Sequence, residues 1–129
     1  LTMGTSAALV LAIAVLFPRG ARVALPRPGY PAHRNVLHAL GLVPLELDCG
    51  PETRFQPTAA MIRALDPAPA GLILTSPSNP AGTMLPDGEL RAISKAHGKE
   101  RGRVFFFYTT CPKCAKAYGQ NYVVGLAEV

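Results

Sequence analysis

Tryptophan is absent from this 129-residue chain, and five phenylalanines and four tyrosines are its only large aromatics. Basic residues outnumber acidic ones thirteen to eight, yet they are scattered singly and never gather into a stripe. Without a basic track and interleaved stacking rings, a nucleic-acid partner is not expected. No apolar run is long enough to span a bilayer. The longest, Ala7 to Phe17, is about half the ~20 residues a span requires, has no basic segment before it, and ends at Pro18-Arg19-Gly20. It reads as a buried core helix rather than an anchor or a leader. Cysteine is scarce too. Cys49, Cys111 and Cys114 are an odd number and too few for a disulfide scaffold, which favours a reducing, cytoplasmic setting. Leu1 is not an initiator methionine, and the chain reads as cut from something longer.

What is present is a chain 49% hydrophobic, enough for the core of one domain. Its patterning alternates between helical and strand-like stretches separated by glycine or proline. Helices are expected at Thr5 to Phe17, Pro31 to Leu40, Thr58 to Leu65 and Pro86 to Lys99. Strands are expected at Arg22 to Leu25, Val43 to Leu47, Leu72 to Thr75 and Val104 to Tyr108. Such alternation predicts an α/β three-layer sandwich with a mainly parallel sheet and right-handed crossovers. Composition shifts near residue 95: every lysine lies at or beyond Lys95, and no acidic residue falls between Glu100 and Glu128. The last quarter therefore reads as having a history of its own, or as a chance fluctuation in a short tail.

Three stretches bear chemistry, each at a junction of strand and helix. Gly4-Thr5-Ser6 opens an apolar helix, where unsatisfied N–H groups and the positive dipole end suit a phosphate; an ordinary helix cap is the plainer reading. Pro26-Arg27-Pro28-Gly29-Tyr30-Pro31 follows a strand and holds Tyr30 between prolines, so that its ring either stacks on a flat ligand or caps the core edge. Ser76-Pro77-Ser78-Asn79-Pro80-Ala81-Gly82-Thr83 follows another strand. Its prolines stiffen the loop and let it present the Asn79 amide to a ligand oxygen, although Asn before Pro is also a plain turn signal. Ligands of open α/β sheets gather at the carboxyl ends of strands, so the three stretches are expected to converge on one pocket, with Cys111 at its border. His33 and His38, five apart, do not share a helix face as i,i+4 residues would and read as structural. Arg27 and Arg34 are within reach of an anionic ligand, but the arginines as a group read as solvated surface.

Four segments, TMGTSAALVLA, RVALPRPGYPAHRNVLHALG, ETRFQPTAAMIRAL and GLILTSPSNPAGTML, in this order and spacing resemble the large domain of the class I/II aminotransferases, the fold-type-I pyridoxal-phosphate enzymes. The resemblance covers roughly residues 1 to 93. It implies a partial large domain over 1–103, with 104–129 a divergent tail continuing from the last strand. It implies that Gly4, Thr5 and Ser6 cradle the phosphate of pyridoxal phosphate, that Tyr30 stacks on its pyridine ring, and that Asn79 donates to its 3′ oxygen. A donor there stabilises negative charge on that oxygen and fixes the ring's tilt. For the complete enzyme it implies amino-group transfer between an amino acid and a 2-oxo acid, in a homodimer.

The tail departs from the family. Where the family places an aspartate that pairs with the pyridine nitrogen, this chain has Thr109-Thr110-Cys111-Pro112-Lys113-Cys114 and no carboxylate. The family's cofactor-binding lysine lies beyond Val129, and the surroundings of Lys113 and Lys116 do not match its motif. The chain as given is therefore expected not to turn over. A rival reading comes from the same tail: a strand followed by Cys111-x-x-Cys114 resembles the strand, dithiol, helix order of thioredoxin-like redox proteins. It also resembles half a zinc site, but Cys49, His33, His38 and His97 show no paired spacing to complete four ligands.

Overall fold

A computed structural model of the chain describes residues 3–98, 103–107 and 124–127. The elements run α1 (Thr5–Leu16), β1 (Arg22–Arg27), α2 (Pro31–Ala39), β2 (Val43–Asp48), a 3-10 turn (Pro51–Thr53), α3 (Ala59–Arg63), β3 (Gly71–Thr75), α4 (Asp87–Gly98), β4 (Arg103–Phe107) and β5 (Val124–Ala127). Tyr108, Lys113, Lys116, Cys111 and Cys114 lie outside the described residues.

Local chemistry sets the boundaries. Pro31 opens α2 at a position where its missing N–H is not needed, and Gly41, at φ 74, closes it through a left-handed turn in which Leu42 N–H donates to Leu37 O (2.9 Å). Thr58 caps α3 by accepting from Met61 N–H at 3.3 Å. α3 ends at Arg63, short of Leu65 and three residues before Asp66, whose helical backbone Pro67 disfavours.

The sheet order is β2-β1-β3-β4-β5. β1 runs parallel to β2 from Arg22↔Val43 to Arg27↔Asp48, β3 runs parallel to β1 and β4, and β5 is antiparallel to β4. The expected parallel α/β architecture is present, and β5 adds an edge strand that the tail's sequence does not announce. Its run Val124-Gly125-Leu126-Ala127 is short, does not alternate, and carries a glycine inside it. Its existence depends on pairing with β4, a non-local contact.

β3 is buried at every position, as befits a strand covered on both faces. Side-chain alternation then sorts the core into two layers. Val23, Leu25 and Ile73 pack with Leu9, Ile13 and Phe17 of the α1 segment and Leu37 of α2. Ala24, Leu72 and Leu74 pack with Ala59 and Ile62 of α3 and Ile93 of α4. Each fully buried Leu or Ile contributes roughly 1.5–3 kcal/mol, so both layers are needed. α1 is buried on one side only: Leu11 and Val15 are 57% and 81% exposed. The expected buried core helix is present on its Leu9–Ile13 side, and among the described residues only one layer lies against it.

Candidate active site at the carboxyl edge of the sheet

The strand order creates the site. From β1 the chain crosses by α2 to β2 on one side, then returns by α3, on the opposite face, to β3 on the other side of β1. The two crossovers diverge between β1 and β3, and a crevice opens where the carboxyl ends of such strands part. The Tyr30 loop leaves β1 at this point, and the Asn79 loop leaves β3 beside it.

Tyr30 is the cap residue of α2, in extended conformation, and 44% exposed. Its ring meets His33 edge-on, centroids 5.5 Å apart at an interplanar angle of 83°, and the His33 N–H donates to Tyr30 O at 3.1 Å. His33 is buried, and desolvation holds its imidazole below the ordinary 6.5. Gly29 is required by close approach, since a Cβ there would strike the carbonyl oxygen of Pro26. The ring thus stands on a turn that only glycine closes and against a buried histidine. Sequence spacing from His38 gave His33 no role; its contact is with the residue three before it.

Beside the ring lies a cavity of about 190 Å³, lined among others by Pro28, Tyr30, Arg34, Glu46 and Pro80. That is smaller than the ~300 Å³ at which small-molecule sites begin. Tyr30 and Pro80 bring the two loops to one wall, whereas Gly4, Ser6 and Asn79 itself do not line this cavity. Arg27 pairs with Glu46 (3.4 Å) and Asp48 (2.5 Å), and Arg34 with Glu46 (3.3 Å). Such exposed pairs contribute at most about 1 kcal/mol each. They do compensate both arginines' charge, which argues against an anion held by that pair.

Asn79 is exposed at the tip of its loop. The loop is closed by Ser78 N–H to Thr83 O (2.8 Å) and Gly82 N–H to Ser78 O (2.7 Å), with Gly82 at φ 69. Ser76 Oγ, buried at its base, accepts from Leu85 N–H at 3.0 Å. The Arg27–Pro28, Ser76–Pro77 and Asn79–Pro80 peptide bonds are cis.

Gly4 precedes α1 at φ 87, ψ 178, with no side-chain cap, and its carbonyl accepts from Ala8 N–H at 3.2 Å. A Cβ at Gly4 would meet nothing within 4 Å; the dihedral, not the space, calls for glycine. α1 ends at the amino edge, where Phe17 and the turn through Gly20 lead into Arg22 of β1. α1 is twelve residues long, about 18 Å at 1.5 Å per residue, and Ser6 near its start is exposed. A helix that starts on a glycine can receive a phosphate, and the projecting Tyr30 ring fits a flat heterocycle.

Cys49 is buried, donates to Leu47 O at 3.3 Å, and burial raises its thiol to about 11. Among the described residues no cluster of His, Cys, Asp and Glu is arranged to hold a metal, and no helix is long and apolar enough to cross a membrane.

Comparison with known proteins agrees with this fold. Over 94 residues the chain is 49% identical to valine–pyruvate aminotransferase of Mycobacterium tuberculosis, a match covering 73% of this chain and 24% of that protein. It is 31% identical over 94 residues to mouse tyrosine aminotransferase, covering 72% and 21%. Its structure matches a crystal structure of an aminotransferase from Mycobacterium tuberculosis at TM-score 0.75 and 34% identity, over 92% of this chain and 36% of that one. It matches a putative aminotransferase from Silicibacter pomeroyi at 0.75 and 42%, over 80% and 27%. The chain thus spans about a quarter of the length of the curated relatives it matches. Residues 84–129 also match a family described as bacterial hydrolase, a boundary that falls near the compositional shift at Lys95. Residues 1–106 match the family model for aminotransferase class I and II, and the chain belongs to that family, whose members depend on pyridoxal phosphate.

Proposed function

We propose that this chain carries the cofactor-binding edge of a pyridoxal-phosphate-dependent aminotransferase and binds the cofactor reversibly without turning it over. The reading rests on one observation above all: the Tyr30 and Asn79 loops flank the β1/β3 switch point in a chain of aminotransferase ancestry. Gly4, Thr5 and Ser6 hold the phosphate through the start of α1, Tyr30 supports one face of the pyridine ring, and Asn79 donates from its side-chain amide to the 3′ oxygen. When bound, pyridoxal phosphate supplies a conjugated ring that withdraws electrons from an amino acid's α-carbon. The chain's own residues position that ring: Gly29 and His33 hold Tyr30 upright, and the closed Ser76–Thr83 loop holds Asn79. In a complete enzyme of the family the reaction would move an amino group between an amino acid and a 2-oxo acid, in a cytoplasmic homodimer.

Borohydride reduction after incubation with pyridoxal phosphate tests the claim of binding without covalent attachment. The expected result is no stoichiometric label on any single lysine. A stoichiometric label on Lys113 or Lys116 would overturn it.

A further inference from the structure

Gln56 is 3% exposed and belongs to no motif of the site, yet its side chain reaches the Asn79 loop at both ends. Nε2 donates to the carbonyl of Thr75 (3.3 Å), the last residue of β3, and to that of Thr83 (2.6 Å), the last residue of the loop. Thr83 O also accepts from Ser78 N–H inside the loop at 2.8 Å, and Thr83 Oγ1 donates to Arg54 O at 2.7 Å. The amide orientation is fixed by these partners, because turning it over would set Oε1 against two carbonyl acceptors. Among the described residues, Oε1 and the loop hydroxyl Ser78 Oγ are buried without a hydrogen-bond partner. A leucine would fill this position with no orphaned acceptor, so packing does not explain a glutamine here.

The backbone leading to Gln56 is unusual as well. Arg54 and Phe55 are both left-handed, at φ 56 and 57, a region non-glycine residues seldom occupy. The tight turn, with Thr53 and Phe55 N–H groups both donating to Gly50 O (3.2 and 2.8 Å), swings the chain so that Gln56 enters beneath the loop. Backbone in such a region persists where the surroundings over-determine it, and here they do so through Thr83.

We propose that Gln56 is a positioning residue of the cofactor site: by tying Thr75 to Thr83 it fixes the loop that presents Asn79, and so the direction from which the Asn79 amide meets a ligand oxygen. This rests on the reading of Asn79 as a donor to pyridoxal phosphate. The test uses the whole chain and Gln56→Met, which keeps the volume and removes both donors. Amide hydrogen exchange at Ser78 and Gly82 is expected to quicken by about tenfold or more, while amides of β1 keep their rates. The dissociation constant for pyridoxal phosphate is expected to rise about tenfold, the loss of one or two modest hydrogen bonds, while that for inorganic phosphate, which needs only the start of α1, stays unchanged. Unchanged loop exchange overturns the proposal. Equal weakening of both ligands, or none of either, reduces Gln56 to a structural role and overturns it too. Should the parent chain bind inorganic phosphate but not pyridoxal phosphate, the cofactor reading fails first and the positioning role with it. If Gln56→Met does not fold, the parent decides. Its Gln56 side-chain amide protons should exchange at least about a hundredfold more slowly than those of exposed Asn79, and equal rates overturn the strap.

Discussion

The Tyr30 ring rests edge-on against His33, centroids 5.5 Å apart and planes at 83°, so the ring that faces the site is backed by a buried base. Burial holds that imidazole below 6.5. Between the folded value and 6.5 the unfolded chain therefore binds the extra proton and the folded chain does not. Stability is full above about pH 6.5 and falls as pH drops through that window. Urea midpoints measured at pH 7.5 and at pH 5 should show this loss, and His33→Gln should show a smaller one. An equal acid loss in both proteins would mean that His33 is not the group responsible.

Gly29 and Gly82 should fail differently when given a side chain. At Gly29 a Cβ meets the Pro26 carbonyl, backbone that cannot rotate aside, so Gly29→Ala should cost about 1–3 kcal/mol as an overpacking change. At Gly82 nothing lies within 4 Å, and Gly82→Ala should cost only the left-handed conformation, about 1–2 kcal/mol. Thermal melts compare the two. Only Gly29→Ala should also move the Tyr30 ring resonances.

Ile73 is fully buried in the layer under α1 and α2. Ile73→Ala should destabilise by about 2–5 kcal/mol and Ile73→Val by about 0.5–1.5. A denaturant series that ranked them equally would contradict the packing described.

The Cys49 thiol, raised to about 11 and buried, should resist iodoacetamide at pH 8 in the folded chain and react at once in denaturant. Rapid modification under native conditions, located by mass spectrometry at Cys49, would show that this layer opens.

Much of the scaffold was legible because local chemistry marks it: Pro31 starts a helix, Gly41 ends one, and the continuous apolar run Gly71–Leu74 is a strand buried on both faces. The end of β1 was harder. Leu25 is a natural stopping point because Pro26 cannot donate to a ladder, yet β1 pairs with β2 out to Arg27↔Asp48. The β1–β3 register is paired only at Val23 and Ala24, so no partner on that side needs the missing donor. In the site, Tyr30 and Asn79 stand out in the sequence because prolines flank both. Gln56 does not, since its partners lie 19 and 27 residues away and no periodicity marks it.

Equilibrium titration of the chain with pyridoxal phosphate, followed by cofactor absorbance, tests the central claim most directly. The parent should bind weakly and reversibly, with inorganic phosphate competing. Tyr30→Ala and Asn79→Ala should each weaken binding by about tenfold, the order expected for one stacking contact or one charge-assisted hydrogen bond, without changing the melting profile by more than a surface substitution does. Parent and variants binding equally, or binding that phosphate does not displace, would contradict a cofactor site at this edge of the sheet.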